Sequence, residues 1–249
     1  MPDRRVCAVT GASRGIGRAI AIAFGEQRAA VACLGRDEAA LVEVARLVEK
    51  AGGTASVHVG DVTQDETAPG FIEAVVAEHG ALDVLVNNAG GAPDTPAQTT
   101  PPSRFRQVLD LNVVSCFAMA QAAYPYLRHS PNAVIVNVGS LFASLGVSRM
   151  SAYSASKAAV EGLTRGLANE WAADGIRVVC LAPGYVRSDI SKDVLADERA
   201  RQEILRHIPQ RRVAEPEEVA DFVAFLADPR AGFVTGSTHL IDGGQLTSW

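Results

Sequence analysis

Lysine is scarce in this chain of 249 residues, with three against twenty arginines, and aromatic residues make up only 6%. No apolar run approaches the roughly 18 residues that a membrane-spanning helix needs, so nothing in the sequence predicts a span. Basic charge is not in excess: 23 basic residues face 28 acidic ones, for a net charge of −5. That excludes a nucleic-acid binder, which needs a basic face. Cysteine is sparse as well. Cys7, Cys33, Cys116 and Cys180 lie far apart in apolar segments, with no CxxC or Cys/His cluster. No metal framework follows, and the four read as buried free thiols in a reducing compartment, with a structural disulfide as the minor alternative. The opening Met1-Pro2-Asp3-Arg4-Arg5 has neither the long apolar stretch nor the cleavage site of a signal peptide. The expectation is a cytoplasmic protein. A hydrophobic content of 48% excludes disorder as the main state.

What is present is alternation. Short β-rich runs at 6–10, 30–34, 55–59, 84–87, 133–138, 176–181 and 238–241 are separated by helical patterns near 15–28, 37–50, 65–79, 103–128, 152–173 and 216–227. Runs such as Val134-Ile135-Val136 are continuously apolar, as in strands covered on both faces. Strand–helix–strand repetition predicts an α/β fold: a doubly wound parallel sheet of Rossmann type, about seven strands with helices on both faces. No linker divides the chain, so residues 1–249 read as one dinucleotide-binding domain. The segment 188–212 is polar and poorly patterned, and is long enough to be a substrate lid.

The first strand ends in Thr10-Gly11-Ala12-Ser13-Arg14-Gly15-Ile16-Gly17 and a helix follows. Glycines there let the backbone approach a phosphate, and a helix N-terminus supplies N–H donors and a partial positive charge. Three glycines at these offsets arise by chance in roughly one such chain in six, so the strand–turn–helix setting carries the reading. About 18 residues past Gly17, where an NAD site places a carboxylate for the ribose 2′-hydroxyl, stand Gly35 and Arg36. Gly35 removes a repulsive carboxylate, and Arg36 and Arg14 could pair with a 2′-phosphate. The reading is NADP(H). Asp37 keeps an alternative open: it would hold a 2′-hydroxyl if the strand ended later, or would simply cap the next helix.

Tyr153 and Lys157 stand four apart in Ser151-Ala152-Tyr153-Ser154-Ala155-Ser156-Lys157, on one face of a helix. With four tyrosines and three lysines in the chain, such a pair arises by chance in about 5% of such compositions, a stronger signal than the glycines. Reducing a carbonyl requires a proton as well as a hydride, and an ammonium beside a phenol favours the phenolate that oxidation of an alcohol needs. Ser140, at the end of the fifth strand, is placed to hold the substrate oxygen.

Taken with Asp61-Val62, Asn87-Asn88-Ala89-Gly90, Asn112 and Pro183-Gly184, these motifs make the chain resemble the short-chain dehydrogenase/reductase family over essentially its whole length. The resemblance implies a catalytic tetrad of Asn112, Ser140, Tyr153 and Lys157. Tyr153 would be the general acid/base. Lys157 would tune it and hold the nicotinamide ribose, and Asn112 would position a water on a proton relay. The cofactor set it implies, together with the phosphate loop, is Gly11, Ser13, Arg14, Gly15, Ile16, Gly17, Arg36, Asp61 and Val62 at the adenine, Asn88 near the adenosine ribose, Ala89, Gly90, Tyr153, Lys157, Pro183, Gly184, Val186 at the carboxamide, and Ser188. Two positions depart from the family: Ala182 precedes the Pro-Gly pair where Asn is frequent, and Ser188 replaces a frequent Thr while keeping its hydroxyl.

Leu141, Phe142, Met150 and Tyr185 flank the predicted chemistry and, with Ser140 and Tyr153, are the candidate substrate residues. Ordinary core packing is the competing reading for the apolar ones. The resemblance includes 3-oxoacyl-carrier-protein reductases, whose acidic partner needs a basic docking surface. Arg128 could serve, but Asp174 and the negative net charge argue for a small free ketone, secondary alcohol or thioester. Ala155, Ala158, Ala159, Gly162 and Gly166 form a small-residue stripe that suits either a subunit interface or packing on the chain's own sheet. The resemblance implies a homotetramer that also uses the strand near 238–241. A non-catalytic dinucleotide-binding redox sensor is the alternative function.

Overall fold

The computed structural model describes residues 4–188 and 191–248. Its seven strands are β1 (Val6–Thr10), β2 (Ala30–Gly35), β3 (Thr54–Val59), β4 (Val84–Asn87), β5 (Val134–Val138), β6 (Arg177–Pro183) and β7 (Thr238–Ile241), in the order β3-β2-β1-β4-β5-β6-β7. Every pairing is parallel. Alternate residues feed two cores. Cys7, Val9, Val31 and Val136 pack on the helices α1 (Gly15–Glu26), α2 (Glu38–Lys50) and α9 (Pro216–Ala227). Val6, Ala8, Leu85 and Ile135 pack on α3 (Thr67–His79), α5 (Ser115–Leu127) and α6 (Ser151–Trp171). This is the doubly wound Rossmann-type arrangement. The order in which strands are laid down reverses between β1 and β4, and such a switch point opens a crevice at the carboxyl ends of the strands.

The four cysteines are free and buried. Burial pushes the Cys33 thiol up to about 12 and Cys180 to about 11, so they behave as apolar filler. Pro69 does not break α3, because it sits in the first turn, where a missing N–H costs no helical bond. Among the described residues, no helix is long and apolar enough to cross a membrane.

Two elements differ from the sequence expectation. The helix expected over 103–128 is three pieces: α4 (Pro102–Leu109), a π-turn at Asp110–Val114, and α5. Side chains sustain the π-turn. Ser115 Oγ donates to the Leu111 carbonyl at 2.6 Å, and Cys116 Sγ donates to the Asn112 carbonyl at 3.3 Å. The poorly patterned segment 188–212 contains α7 (Lys192–Ala196) and α8 (Glu198–His207), while Asp189 and Ile190 lie outside the described residues. α8 has a narrow apolar face, on which Ile204 and Leu205 join Ile208, Val213 and Tyr185. Its outer face carries Glu198–Arg201 and Glu203–Arg206 pairs, which hide the helical period under charge.

Candidate active site

The phosphate loop is built by exclusion. Gly11 and Gly15 have φ of 65° and 54°, in the left-handed region. A Cβ on Gly17 would lie 2.2 Å from the Gly11 carbonyl oxygen and 2.4 Å from Asn88 Nδ2, so only glycine fits. Thr10 Oγ1 accepts from the N–H groups of both Asn88 and Ala89 at 3.0 Å, and Asn88 Nδ2 donates to the Thr10 and Gly11 carbonyls. Asn88 is thus a strut between β1 and β4. The helix α2 is capped by Asp37, which accepts from Ala40 N at 3.1 Å, and α8 is capped by Asp197. α1, by contrast, starts at Arg14 with no side-chain cap and no acidic residue in its first turn. Its N–H groups and positive end face the crevice, the arrangement that takes an anion. The residues present therefore fit a dinucleotide pyrophosphate.

The capping role of Asp37 weakens its candidacy as a ribose ligand. Gly35 faces Ser13, since a Cβ there would lie 3.5 Å from Ser13 Oγ. The Arg36 side chain is 75% exposed and reaches Asp61 at 3.7 Å. Bonds from the Thr63 backbone N–H and hydroxyl, and then the Arg36 charge, hold the Asp61 carboxyl below its ordinary value. Val62 lies beside Asp61 and is partly buried on the α3 side. Across the crevice, a Cβ on Gly15 would touch Ser188 Cβ at 3.6 Å, so the phosphate loop and the loop after Pro183-Gly184 face each other. Val186 is buried and pairs with Ala214, while Ser191 Oγ accepts from Ser188 N.

At the other end, Lys157 is only 5% exposed and Asn112 and Ser156 are fully buried. Lys157 Nζ donates to the Val138 carbonyl at 2.7 Å and lies 5.7 Å from the centre of the Tyr153 ring. Ser140, two residues beyond Val138, is buried and its Oγ accepts from Phe142 N at 3.2 Å. That bond uses a lone pair and leaves the hydroxyl hydrogen for another acceptor. Asn112 Oδ1 accepts from Gly91 N, and its Nδ2 donates to the Gly91 carbonyl and to Ser156 Oγ. A Cβ on Gly90 would lie 3.0 Å from Asn112 Oδ1 and 3.6 Å from Lys157 Nζ, so Gly90 lies beside both groups and a side chain there would crowd Asn112. Ser156 and Gly91 are the two residues here that the sequence reading missed. The one signal available was the position of Ser156 between Tyr153 and Lys157.

Phe142 meets Tyr153 edge to face at 6.1 Å and Tyr185 at 5.8 Å, making an aromatic wall. Tyr185 in turn packs on the apolar side of α8, and burial raises its phenol. Met150 precedes α6 and is half-buried. Leu141 is fully buried, so packing accounts for it and it adds no surface to the wall. A cavity of about 260 Å³ lies elsewhere, between α1 and α9, and is lined by Glu26, Asp221 and Phe225 among others. It holds none of these groups, and the convergence of chemistry rather than volume locates the site. Among the described residues, no group of three or more His, Cys, Asp or Glu could hold a metal ion.

The fold and the crevice define a dinucleotide-binding oxidoreductase scaffold. A family model described as enoyl-(acyl carrier protein) reductase matches residues 11–245. The chain is 38% identical over 241 residues to cis-4-hydroxycyclohexanecarboxylate dehydrogenase of Sinomonas cyclohexanicum, covering 96% of each. It is 33% identical over 243 residues to a 3-oxoacyl-[acyl-carrier-protein] reductase of Vibrio harveyi, covering 98% of each. A crystal structure assigned as an NAD(P)-dependent gluconate 5-dehydrogenase from Beutenbergia cavernae, with NADP at low occupancy, superposes with a TM-score of 0.93 at 38% identity, covering 98% of this chain and 97% of that one. The chain belongs to the short-chain dehydrogenase/reductase family.

Proposed function

We propose that the protein is an NADP(H)-dependent oxidoreductase that interconverts a ketone and a secondary alcohol, with Tyr153 as general acid/base. The observation that carries this reading is the convergence of Tyr153, buried Lys157 and buried Asn112 beside the strand end that bears Ser140. The nicotinamide, when bound, supplies or accepts the hydride. Ser140 directs its free hydroxyl hydrogen to the substrate oxygen. Tyr153 gives that oxygen a proton, or takes one from it. The Lys157 ammonium stabilises the phenolate and donates to the nicotinamide ribose. Both hydrogens of Asn112 Nδ2 are spent inside the protein, so a relay water would be held by its backbone carbonyl, which also accepts from the Cys116 thiol. Gly11, Ser13, Gly15, Ile16 and Gly17 cradle the pyrophosphate. Arg36, with Arg14, receives the 2′-phosphate, and Pro183, Gly184, Val186 and Ser188 close on the nicotinamide side. A redox sensor has no use for the tetrad.

The aromatic wall of Phe142, Tyr153 and Tyr185 suits a small apolar or ring ketone, and α8, which packs on Tyr185, is the part of the candidate lid that flanks it. Arg128, the candidate for docking a carrier protein, is 3.8 Å from Asp174, which supports a free substrate over a carrier-bound one. The small-residue stripe on α6 is exposed along Ala155, Ala158, Ala159, Gly162 and Gly166, and Phe117 on α5 and Leu240 on β7 are 42% and 45% exposed. These surfaces support a homotetramer. The test is NADPH oxidation against a panel of cyclic and open-chain ketones, β-ketoesters and acyl thioesters, on a preparation sized by light scattering. Turnover of a ketone by a species near four chains is expected. No turnover of any of them sinks the reading.

A further inference from the structure

The Asn112 side chain makes three hydrogen bonds inside the protein, and one of them crosses from the π-turn to α6. Asn112 Nδ2 donates to Ser156 Oγ at 3.0 Å, and Ser156 Oγ donates to the Tyr153 carbonyl at 2.7 Å. A serine hydroxyl has one hydrogen, so this direction is forced: Ser156 must accept from the amide in order to donate to the carbonyl. Both Asn112 and Ser156 are fully buried, so no bulk water competes. The Tyr153 carbonyl lies in the first turn of α6, the turn that carries Tyr153 and leads to Lys157. Lys157 is itself tied to β5 through the Val138 carbonyl. The first two turns of α6 are thus held from two sides, by β5 through the lysine and by the π-turn through the serine. Ser154 offers a contrast one helical step away, since its buried hydroxyl has no partner among the described residues.

We propose that Ser156 is a positioning residue for the reaction. Its hydroxyl transmits the placement of Asn112 to the backbone of Tyr153 and so sets the depth of the phenol and the ammonium against the π-turn. This rests on the reading of Tyr153 as the acid/base. Ser156→Ala leaves one Asn112 N–H without a partner and frees the first turn. The expected result is a fall in kcat of roughly 5- to 50-fold, the scale of losing a buried hydrogen bond, with NADPH affinity within twofold. Ser156→Thr keeps a hydroxyl that bonds back along the helix and should recover most of that loss. In a double-mutant cycle, Ser156→Ala should cost little on top of Asn112→Ala, because the two share one bond. Ser154→Ala is the control, with kcat unchanged.

A readout independent of any substrate separates the two ideas. The side-chain amide protons of Asn112 should exchange slowly in the wild type and quickly in Ser156→Ala. If no ketone is turned over, or if Tyr153→Phe retains activity, the functional reading falls while the amide exchange still reports on the link. If Ser156→Ala keeps kcat within twofold, or Ser156→Thr loses as much as Ser156→Ala, or unchanged exchange accompanies Ser156→Ala, the proposal is overturned.

Discussion

The two ends of the crevice are built in opposite ways. Around Tyr153 the polar groups are buried and tied: Lys157 to β5, Asn112 to Gly91 and Ser156, and Asn87 to Asn137 and on to Thr164. At the end of the crevice proposed for the adenosine the polar groups are more exposed, and Arg36 reaches Asp61 only at 3.7 Å with most of its side chain in solvent. The difference is instructive. Chemistry at a reacting bond needs groups held in advance, because reorganisation during the step raises the barrier. Choice between two cofactors needs only one charge near one oxygen, and that charge can stand on the surface. Sequence changes at the exposed end should therefore alter preference without harming the fold. Changes at the buried end should harm catalysis out of proportion to their size.

The sharpest break of this comparison is Tyr153→Phe, which keeps the ring and its contact with Phe142 and removes the proton. Turnover should fall by roughly 10²- to 10⁴-fold, the usual worth of general acid–base catalysis, while NADPH still binds. Steady-state kinetics beside a fluorescence titration of NADPH measures both. Retention of more than half the activity would refute the role.

How far the sequence revealed this contrast depends on whether a group is named by its type or by its surroundings. Tyr153, Lys157, Ser140 and the glycine loop were legible because their chemistry needs those residue types at fixed spacing. All seven strands were legible: β1, β2, β4, β5 and β6 because residues buried on both faces must be apolar, and the partly exposed edge strands β3 and β7 by their β-branched residues. The π-turn was not, since Asp110–Val114 has no period of its own and is held open by the Ser115 and Cys116 side chains. α8 was not, because its exposed ion pairs mask a narrow apolar face. Ser156 was not, because a serine in a helix has a role only once its partner across the fold is known. The sequence left open which side of α6 the small-residue stripe takes, and in the structure the stripe is exposed.

At the exposed end the expected effects are smaller. Arg36→Ala should weaken NADPH by roughly 10- to 150-fold and leave NADH almost unchanged, since a charge-assisted hydrogen bond is worth ~1.5–3 kcal/mol. In the proposed reading Arg14 shares the phosphate and should soften the single variant, because neighbouring sites are not additive. Gly35→Asp should act in the opposite sense. A Cβ there meets only ordinary contacts with Leu41 and Ser13, so the carboxylate fits sterically and repels the 2′-phosphate. Titration of both nucleotides against the three proteins decides it. Equal losses of NADH and NADPH in Arg36→Ala would mean that Arg36 only faces solvent.

The smallest effect sharpens the comparison at Asp61. Thr63 N donates to Asp61 Oδ1 at 3.0 Å and Thr63 Oγ1 donates to the same oxygen at 2.8 Å. Together with Arg36 they keep the carboxyl below the ordinary aspartate value of 3.8, the backbone N–H having the largest influence. A carboxyl whose folded value is depressed contributes stability at pH above its unfolded value and loses that contribution as the pH falls through its folded value. Thr63→Val removes the hydroxyl bond and keeps the N–H bond, so the Asp61 titration should move upward but only partway to 3.8. The acid limb of stability should still begin near the unfolded value but be shallower and end at a slightly higher pH. Asp61 is 35% exposed on its side chain, so solvent screens the gain and the change in unfolding midpoint should be slight. Carboxyl-carbon NMR of Asp61 in both proteins measures the shift directly. A wild-type titration at or above 3.8, or one that Thr63→Val leaves in place, would show that the exposed end holds this carboxylate no more firmly than water does.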